Sequence, residues 1–581
     1  MTSLGLLAHH ERRRHLVEIT QSLKAIRTLE QMGQQVQELL FQEDYAAAIQ
    51  LLIEGQQAAE TYKHFNCVAQ LSSRLQDTLE IAEEQLDAGL AKICHSFDAK
   101  LYRKLCEAFT LLGKQCAALD QSHLHLASRL HSNAFHLVKN YVELSNSSDS
   151  EQKRRQLIDY NKLQFQDLCR HVTSNLFIPC LRDLCSCLWS VTFTYHKIHD
   201  WQRHQAASYN LMQDQNLDHG RIRLWNDVQI KTRTFLLSVD LNHFSIDEFL
   251  HVLNIVDRLM EVGFQFCGSG SEILLETVRQ QSTSYFRNFH RGRLEELRIF
   301  LENESWENCP VKSSFTVLQL IEFRFLSELG GRSTHQKCNT YASCCQYYGD
   351  STEATVESPF AQCGLDRNTD ENILAPSRTV GLETEDSDDD IATATIPGPL
   401  LANTTLSVLR LFGRYIHLMR LLKTIAFDVL ICLNQLFDFY LYSVYTFFGN
   451  LPHSPCTAVL TPKLREVLGR IEKRLILLSS SSQKIVYASA GTMDGDILAN
   501  TSSLASLEDR VVCPSVSPLL RLEDPANMYG LKLRLVAAES VVFVARQMEI
   551  LRPTLKAFSP PDRHSALEQF FVQVPQKEIF V

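Results

Sequence analysis

Residues 401–449 read LANTTLSVLRLFGRYIHLMRLLKTIAFDVLICLNQLFDFYLYSVYTFFG. Apolar side chains recur at Leu409, Phe412, Ile416, Met419, Ala426, Leu430, Leu433, Phe437, Tyr440 and Val444, in steps of mostly three and four. A strand alternates with a period of two and cannot gather these positions on one face, whereas an α-helix does so directly. Arg410, Arg414 and His417 fall on the opposite, wetter side, and Thr404 or Thr405 offers an N-terminal cap. A face this apolar must be covered by other helices. A membrane span is the rival reading, but Arg410, Arg414, Arg420, Lys423, Asp428 and Asp438 interrupt the run. The longest uncharged piece, residues 439–448, is roughly half of the ~20 residues a span requires. The expectation is a buried helix of a large all-α protein.

Helical periodicity dominates the rest. Near the N-terminus Leu16, Ile19, Leu23, Ile26, Leu29, Val36 and Leu39 form a narrow apolar stripe with heptad-like steps, disturbed at Met32 and Gly33. Such a stripe is the seam of a coiled coil and needs a partner, from this chain or from another subunit. Val68, Leu71, Leu75, Leu79, Ala82, Leu86, Leu90 and Ile93 hold one face through nearly seven turns. Helices are expected over 46–59, 102–112, 117–144 and 157–197, with Pro179 as the first residue of one of them. Residues 145–155 read as a polar loop and 202–220 as irregular, followed by helices over 224–237 and 249–266. Ser269 and Glu272 have capping-box spacing for the next helix. No strand-like alternation of any length occurs between residues 9 and 328. Further helices are expected over 463–478 and 531–551, the second stopped by Pro553.

Residues 330–400 lack this period. From residue 331 to 400 there are 12 Asp and Glu against 4 Lys and Arg, including the run GLETEDSDDD, and the segment ends in IPGP. Such a composition buries too little apolar surface to offset ordering entropy, so it reads as a disordered acidic linker. The division expected is a coiled-coil-like helix over 1–44, a helical region over 45–329, the linker over 330–400, a second helical block over 401–573 and a tail over 574–581. Ser387, embedded among acidic residues, is a candidate site for an acidophilic kinase.

The net charge of −10 is concentrated in that linker, which carries −8 and leaves about −2 for the remainder. No electrostatic footprint for nucleic acid results. The 17 cysteines are odd in number and scattered. The apolar start at residues 4–8 is too short for a secretory leader and runs into HHERRR, so reduced thiols in the cytoplasm are expected. Without a span or a lipidation motif, membrane association would be peripheral.

Catalytic and metal chemistry find no support. Cys180, Cys185 and Cys187, with Cys169 and His171 upstream, sit at helical spacing rather than in paired knuckles on turns. In the linker, His335, Cys338, Cys344, Cys345 and Cys363 lack a turn framework. His123, His125, His131 and His136 do not align as ligands one turn apart. The Gly268–Ser269–Gly270 turn follows a helix and lacks the lysine of a phosphate-binding loop, and no nucleophile elbow occurs. No metal and no cofactor are therefore expected. One basic cluster stands out: Arg287, His290, Arg291, Arg293 and Arg298, beside Tyr285, Phe286 and Phe289. It is a candidate surface for an anionic lipid headgroup, although Glu295, Glu296 and Glu302 lie at helical spacing to pair with its arginines.

Long strings resemble the syndetin family. They include FIPCLRDLCSCLW, RLMEVGFQFCGSGSEILLETVRQQSTSYFRNFHRGRLEELRIFLENESWENCPVKSSF, TTLSVLRLFGRY, NQLFDFYLYSVYTFFG and YGLKLRLVAAESVVFVARQMEILRPTL. Together with similar stretches they cover most of residues 40–328 and 402–572 in the family's order, with an acidic linker where the family also has one. The resemblance implies an elongated helical rod of stacked bundles, joined to other subunits through N-terminal coiled coils. It implies a non-enzymatic subunit of the endosome-associated recycling complex, a multisubunit tether related to the Golgi-associated retrograde complex and the exocyst. Peripheral residence on recycling endosomes and the trans-Golgi network, SNARE and Rab-type GTPase partners, and promotion of SNARE-dependent fusion are implied with it. Against the family pattern, Met1 enters partway through the N-terminal coiled-coil region and the resemblance fades at about Val572, so a shortened assembly segment is expected. Leu16, Ile19, Leu23 and Ile26 are the candidate assembly residues. The alternative is a peripheral membrane-binding helical protein that uses the Arg287–Arg298 cluster directly.

Overall fold

The computed structural model describes residues 2–62, 65–148, 163–205, 211–326, 358–360, 398–449, 462–477, 510–517, 520, 528, 530–565 and 567–568. Among the described residues it is all-α, 84% helical, with about 15 helices packed in bundles. Two compact units are present: the first holds the described residues up to 239, residues 251–275 and residues 358–360, and the second holds 240–250, 276–326 and the described residues from 398 onward. Most of the expected linker, with Ser387 and its cysteines, lies outside the described residues.

In the first unit, α1 (Thr2–Phe41) packs on α2 (Tyr45–Thr61) and α3 (Asn66–His95). Helix α4 (Ala99–Leu111) and α5 (Gln115–Ser148) then cover α3, and α5 also meets α6 (Phe165–Cys169), α7 (Ser174–Gln205) and α8 (Leu211–Leu236). The breaks between these helices are set locally. Asp44 accepts from the Ala47 amide at the start of α2, and Asp98 from the Lys100 amide at the start of α4. Gly113, with φ at 68°, turns the chain between α4 and α5. The long stripe expected from Val68 to Ile93 is the buried face of α3. Two expectations are corrected. Residues from 211 onward are helical rather than irregular, because Leu224, Trp225 and Val228 bury the face of α8. Pro179 lies inside α7 rather than at its first position. The loss of one amide bond near a helix end is offset by burial of Phe177, Cys180, Leu181 and Leu184 around it.

Helices α9 (Ile246–Cys267) and α10 (Glu272–Glu302) each contribute residues to both units. A capping box opens α9: the Ser245 amide donates to Glu248 Oε2 at 2.8 Å, and the Glu248 amide donates to Ser245 Oγ at 3.3 Å. The box expected at Ser269 and Glu272 is replaced by a tighter turn in which the Ser271 amide donates to Ser269 Oγ. In the first unit the indole of Trp225 donates to Ser271 Oγ and lies against Gly263, where an added Cβ would fall 1.9 Å from the ring. No side chain larger than hydrogen fits there.

The second unit is built on α11 (Asn403–Leu421) and α12 (Ala426–Phe448), which pack together and against α14 (Leu531–Phe558). Helix α13 (Pro462–Leu475) lies on α12 and leads into a two-residue parallel pairing of β1 (Ile476–Leu477) with β2 (Val511–Val512). The stretch read as one helix is therefore two, separated by a 3₁₀ turn over Lys423–Ile425. Arg414 and His417, expected on a wet side, are buried; Phe325 meets the His417 ring edge-on at 4.7 Å. The cap expected from Thr404 or Thr405 is supplied from elsewhere. Glu304 accepts from the Thr404 amide at 2.6 Å and from its hydroxyl, while the Thr405 hydroxyl bonds to Tyr440. Pro553 sits inside α14, where Leu551 and Leu555, both fully buried, hold the helix on either side of it.

Among the described residues two helices are apolar and long enough to pass for spans by composition, over Ser174–His204 and Lys423–Phe448. Of their most apolar windows, 50% and 67% are buried inside the protein, as in core helices.

Candidate functional site

Two surfaces carry the residues singled out by sequence. The first is α1. Its C-terminal half is anchored by Leu29, Val36 and Leu40, all buried. Its N-terminal half is not covered: Leu16, Ile19 and Leu23 are 59%, 55% and 61% exposed, and Ile26 is half-buried. At ~100° per residue the exposed stripe is turned about 100° round the helix from the buried one. The stripe is thus a separate face, not a continuation of the seam that packs on α2. Arg14 and Glu18, paired at 3.1 Å one turn apart, lie on the side of the helix away from it. An apolar stripe of 3-4-3 spacing fits the seam of a second helix.

The second surface is one face of α10. Glu276, Arg279, Gln280, Thr283, Ser284, Arg287, Asn288 and Arg291, with Asn242, line an open cleft of about 490 Å³. Arg279, Thr283, Arg287 and Arg291 recur every fourth residue and so stand on one side of the helix. Arg279 pairs with Glu276 at 3.2 Å. Asp428 on α12 feels Arg279, Arg563 and Arg287, yet burial, the larger effect, raises its carboxyl above the usual range. Three guanidinium groups against one lining carboxylate give the cleft a positive balance.

The structure does not keep the sequence cluster together. Arg287 and Arg291 enter the cleft, joined by Arg279, which the cluster reading missed. The four-residue step from Arg279 to Arg287 and Arg291 was the available signal. His290 points the other way and is buried: its Nδ1 lies 2.8 Å from the Tyr415 hydroxyl and its Nε2 2.8 Å from Gln435 Oε1. Burial pushes the imidazole down to about 4, so it is neutral near pH 7 and offers no charge to an anion. Arg293 pairs with Glu296 at 2.6 Å and lies over the Phe289 ring, and Arg298 pairs with Glu295 and Glu302.

Several of the described cysteines behave as core residues, whereas Cys67 and Cys116 are exposed. Cys169, Cys180 and Cys185 are buried, and burial pushes the Cys94, Cys106 and Cys169 thiols up to about 12. Thiols so protonated at neutral pH are poor nucleophiles and poor ligands. Among the described residues no group of three or more His, Cys, Asp or Glu is placed to hold a metal ion. His125 instead bonds to Asp87 at 2.8 Å.

Comparison with known proteins bears on these surfaces. Residues 1–201, which include the whole of α1, match the family described as vacuolar-sorting protein 54, of GARP complex. The chain is 39% identical to syndetin of Gallus gallus and of Rattus norvegicus, and 38% identical to that of Mus musculus, over 98% of its own length. It spans 65% of the chicken protein and 64% of each rodent protein. No solved structure matches it. With its helical bundles, its Vps54-type N-terminal region and this extent of identity, the chain is a homologue of syndetin.

Proposed function

We propose that the protein is a non-enzymatic subunit of a multisubunit vesicle-tethering complex, and that the α1 stripe of Leu16, Ile19 and Leu23, with Ile26 at its edge, joins it to the other subunits. The observation that carries this reading is the exposure of an apolar seam on a helix whose remaining apolar face is already used internally. Similarity to syndetin, and of residues 1–201 to a GARP-complex subunit family, supports the class of partner: other tether subunits offering helices of their own. On this reading the protein works in the cytoplasm, peripherally on recycling endosomes and the trans-Golgi network. It acts in endocytic recycling, with SNAREs and Rab-type GTPases as further partners and SNARE-dependent fusion as the outcome. Purification under mild conditions tests it: co-purifying subunits in fixed stoichiometry are expected, and a chain that always elutes alone contradicts it.

The cleft on α10 favours a second reading, direct contact with an anionic membrane. Arg279, Arg287 and Arg291 would meet lipid phosphates, while the polar Thr283, Ser284 and Asn288 between them would donate or accept hydrogen bonds. Salt-sensitive flotation with anionic liposomes is its test.

A further inference from the structure

Between Leu326 and Gly398 the described residues are Ser358, Pro359 and Phe360. They are seated on the first unit. Phe360 is fully buried, and the Pro359 carbonyl accepts a 2.6 Å hydrogen bond from Arg258 Nη1 on α9. Ser358 Oγ accepts from Ser186 Oγ on α7 at 2.7 Å and from the Phe360 amide at 3.3 Å. One hydroxyl oxygen thus ties the segment to α7 and fixes the backbone that delivers the phenyl ring.

We propose that Ser358 is a phosphorylation site of a proline-directed kinase and that its phosphate unseats Phe360. Ser358 is followed by Pro359, the dipeptide such kinases read. Ser or Thr precedes Pro also at 454, 461, 517 and 559. Ser517 and Ser559 are 2% and 6% exposed, and 454 and 461 lie outside the described residues, whereas Ser358 is half-buried on a short surface-bound segment. In the transfer a nucleoside triphosphate supplies the phosphoryl group. The bond from Ser358 Oγ to the γ-phosphorus forms, the bond from that phosphorus to its bridging oxygen breaks, the nucleoside diphosphate leaves, and the hydroxyl proton passes to the kinase's base.

The seat is hostile to the product. A phosphoryl group on Ser358 Oγ would crowd Ser186 Oγ, which lies 2.7 Å from that oxygen. The dianion would arrive on the part of α7 that carries Asp183, whose carboxylate accepts from Tyr141 at 2.5 Å and pairs with Arg182 at 3.5 Å. Arg258 gives one N–H to the Pro359 carbonyl, and a phosphate that drew the guanidinium to itself would break that bond as well. Loss of the Ser186 bond and of the turn at Phe360 leaves the Arg258 bond and one buried ring to hold these three residues.

The test uses the full chain and chymotrypsin, which cuts after Phe360 only when that ring leaves its seat. Cleavage at Phe360 is followed by mass spectrometry before and after treatment with a proline-directed kinase and ATP. Expected are slow cleavage in the unmodified protein and cleavage at least ~10-fold faster once Ser358 is modified, since proteolysis follows the open population. Ser358→Ala, which gives up both bonds to Oγ, shows the same cleavage rate with and without the treatment, and Arg258→Ala is faster without any kinase. No modification at Ser358, unchanged protection after modification, or cleavage of the unmodified chain as fast as Arg258→Ala would each overturn the proposal.

Discussion

His290 of α10 and Tyr415 of α11 are joined in the core of the second unit by a 2.8 Å contact between imidazole Nδ1 and the phenol hydroxyl. Gln435 Oε1, on the far side of the ring, can only accept, so Nε2 carries the proton and Nδ1 accepts from Tyr415. The neutral tautomer is therefore built into the packing, with Phe286 edge-on to the same tyrosine at 5.5 Å.

A pH dependence follows from this pair. The folded imidazole titrates at about 4 instead of its ordinary 6.5, because burial disfavours the charged form. A depressed value means that its stabilising effect is fully present above pH 6.5. It is lost as the pH falls from there towards 4, because the unfolded chain takes up the proton first. The loss across that window is at most about 3 kcal/mol. Urea unfolding of the wild type and His290→Gln between pH 7 and pH 4.5 should show a steeper decline for the wild type. Parallel declines would contradict the assignment.

Glu304 caps α11 from outside it, accepting from the Thr404 amide and hydroxyl and from the Trp306 amide. Glu304→Ala leaves these buried donors unmet and should cost about 3 kcal/mol, whereas Glu304→Gln, which keeps one acceptor oxygen, should cost about 1 kcal/mol. Denaturant midpoints of the two variants check the order; equal losses would show that the carboxylate does not act as the cap.

These two features mark where sequence reading stops. The α3 stripe from Val68 to Ile93 was legible because seven turns repeat one face, and α2, α4 and α5, which cover it, are near in sequence. Arg414 and His417 were misread because their cover comes from residues near Glu322 and Phe325, far back in the chain. Local periodicity assigns a polar residue to water unless a distant segment returns to it. The Glu304 cap was hidden for the same reason, and Thr404, a residue suited to capping, was placed to bond Glu304 instead. The α1 stripe was legible as a stripe, but only the packing of Leu29, Val36 and Leu40 separates its internal face from its free one.

Gly263 is held to glycine by Trp225. An added Cβ would meet ring atoms at 1.9, 2.2 and 2.7 Å, and the indole is fixed by its bond to Ser271. Gly263→Ala should destabilise the first unit by about 3 kcal/mol although alanine favours helix. Trp225→Phe together with Gly263→Ala should recover part of the loss, since a smaller ring leaves room. Thermal melts of the single and double variants check both statements.

The α10 cleft makes the membrane reading separable from assembly. Arg279→Glu with Arg287→Glu and Arg291→Glu reverses its charge. Flotation with anionic liposomes at low salt should fall to background for this variant, with co-purified subunits unchanged. Equal flotation of wild type and variant, or none for either, removes the lipid role.

The account rests on α1 as the joint to other subunits, and the most direct measurement is recovery of those subunits with the full chain carrying Leu16→Asp, Ile19→Asp and Leu23→Asp. Ile26 is left intact because it is half-buried. These three side chains are exposed, so circular dichroism should keep its helical signal while partner recovery drops by at least ~10-fold, the effect of ~1.4 kcal/mol lost at the seam. Recovery equal to wild type, with the fold intact, would contradict the central claim.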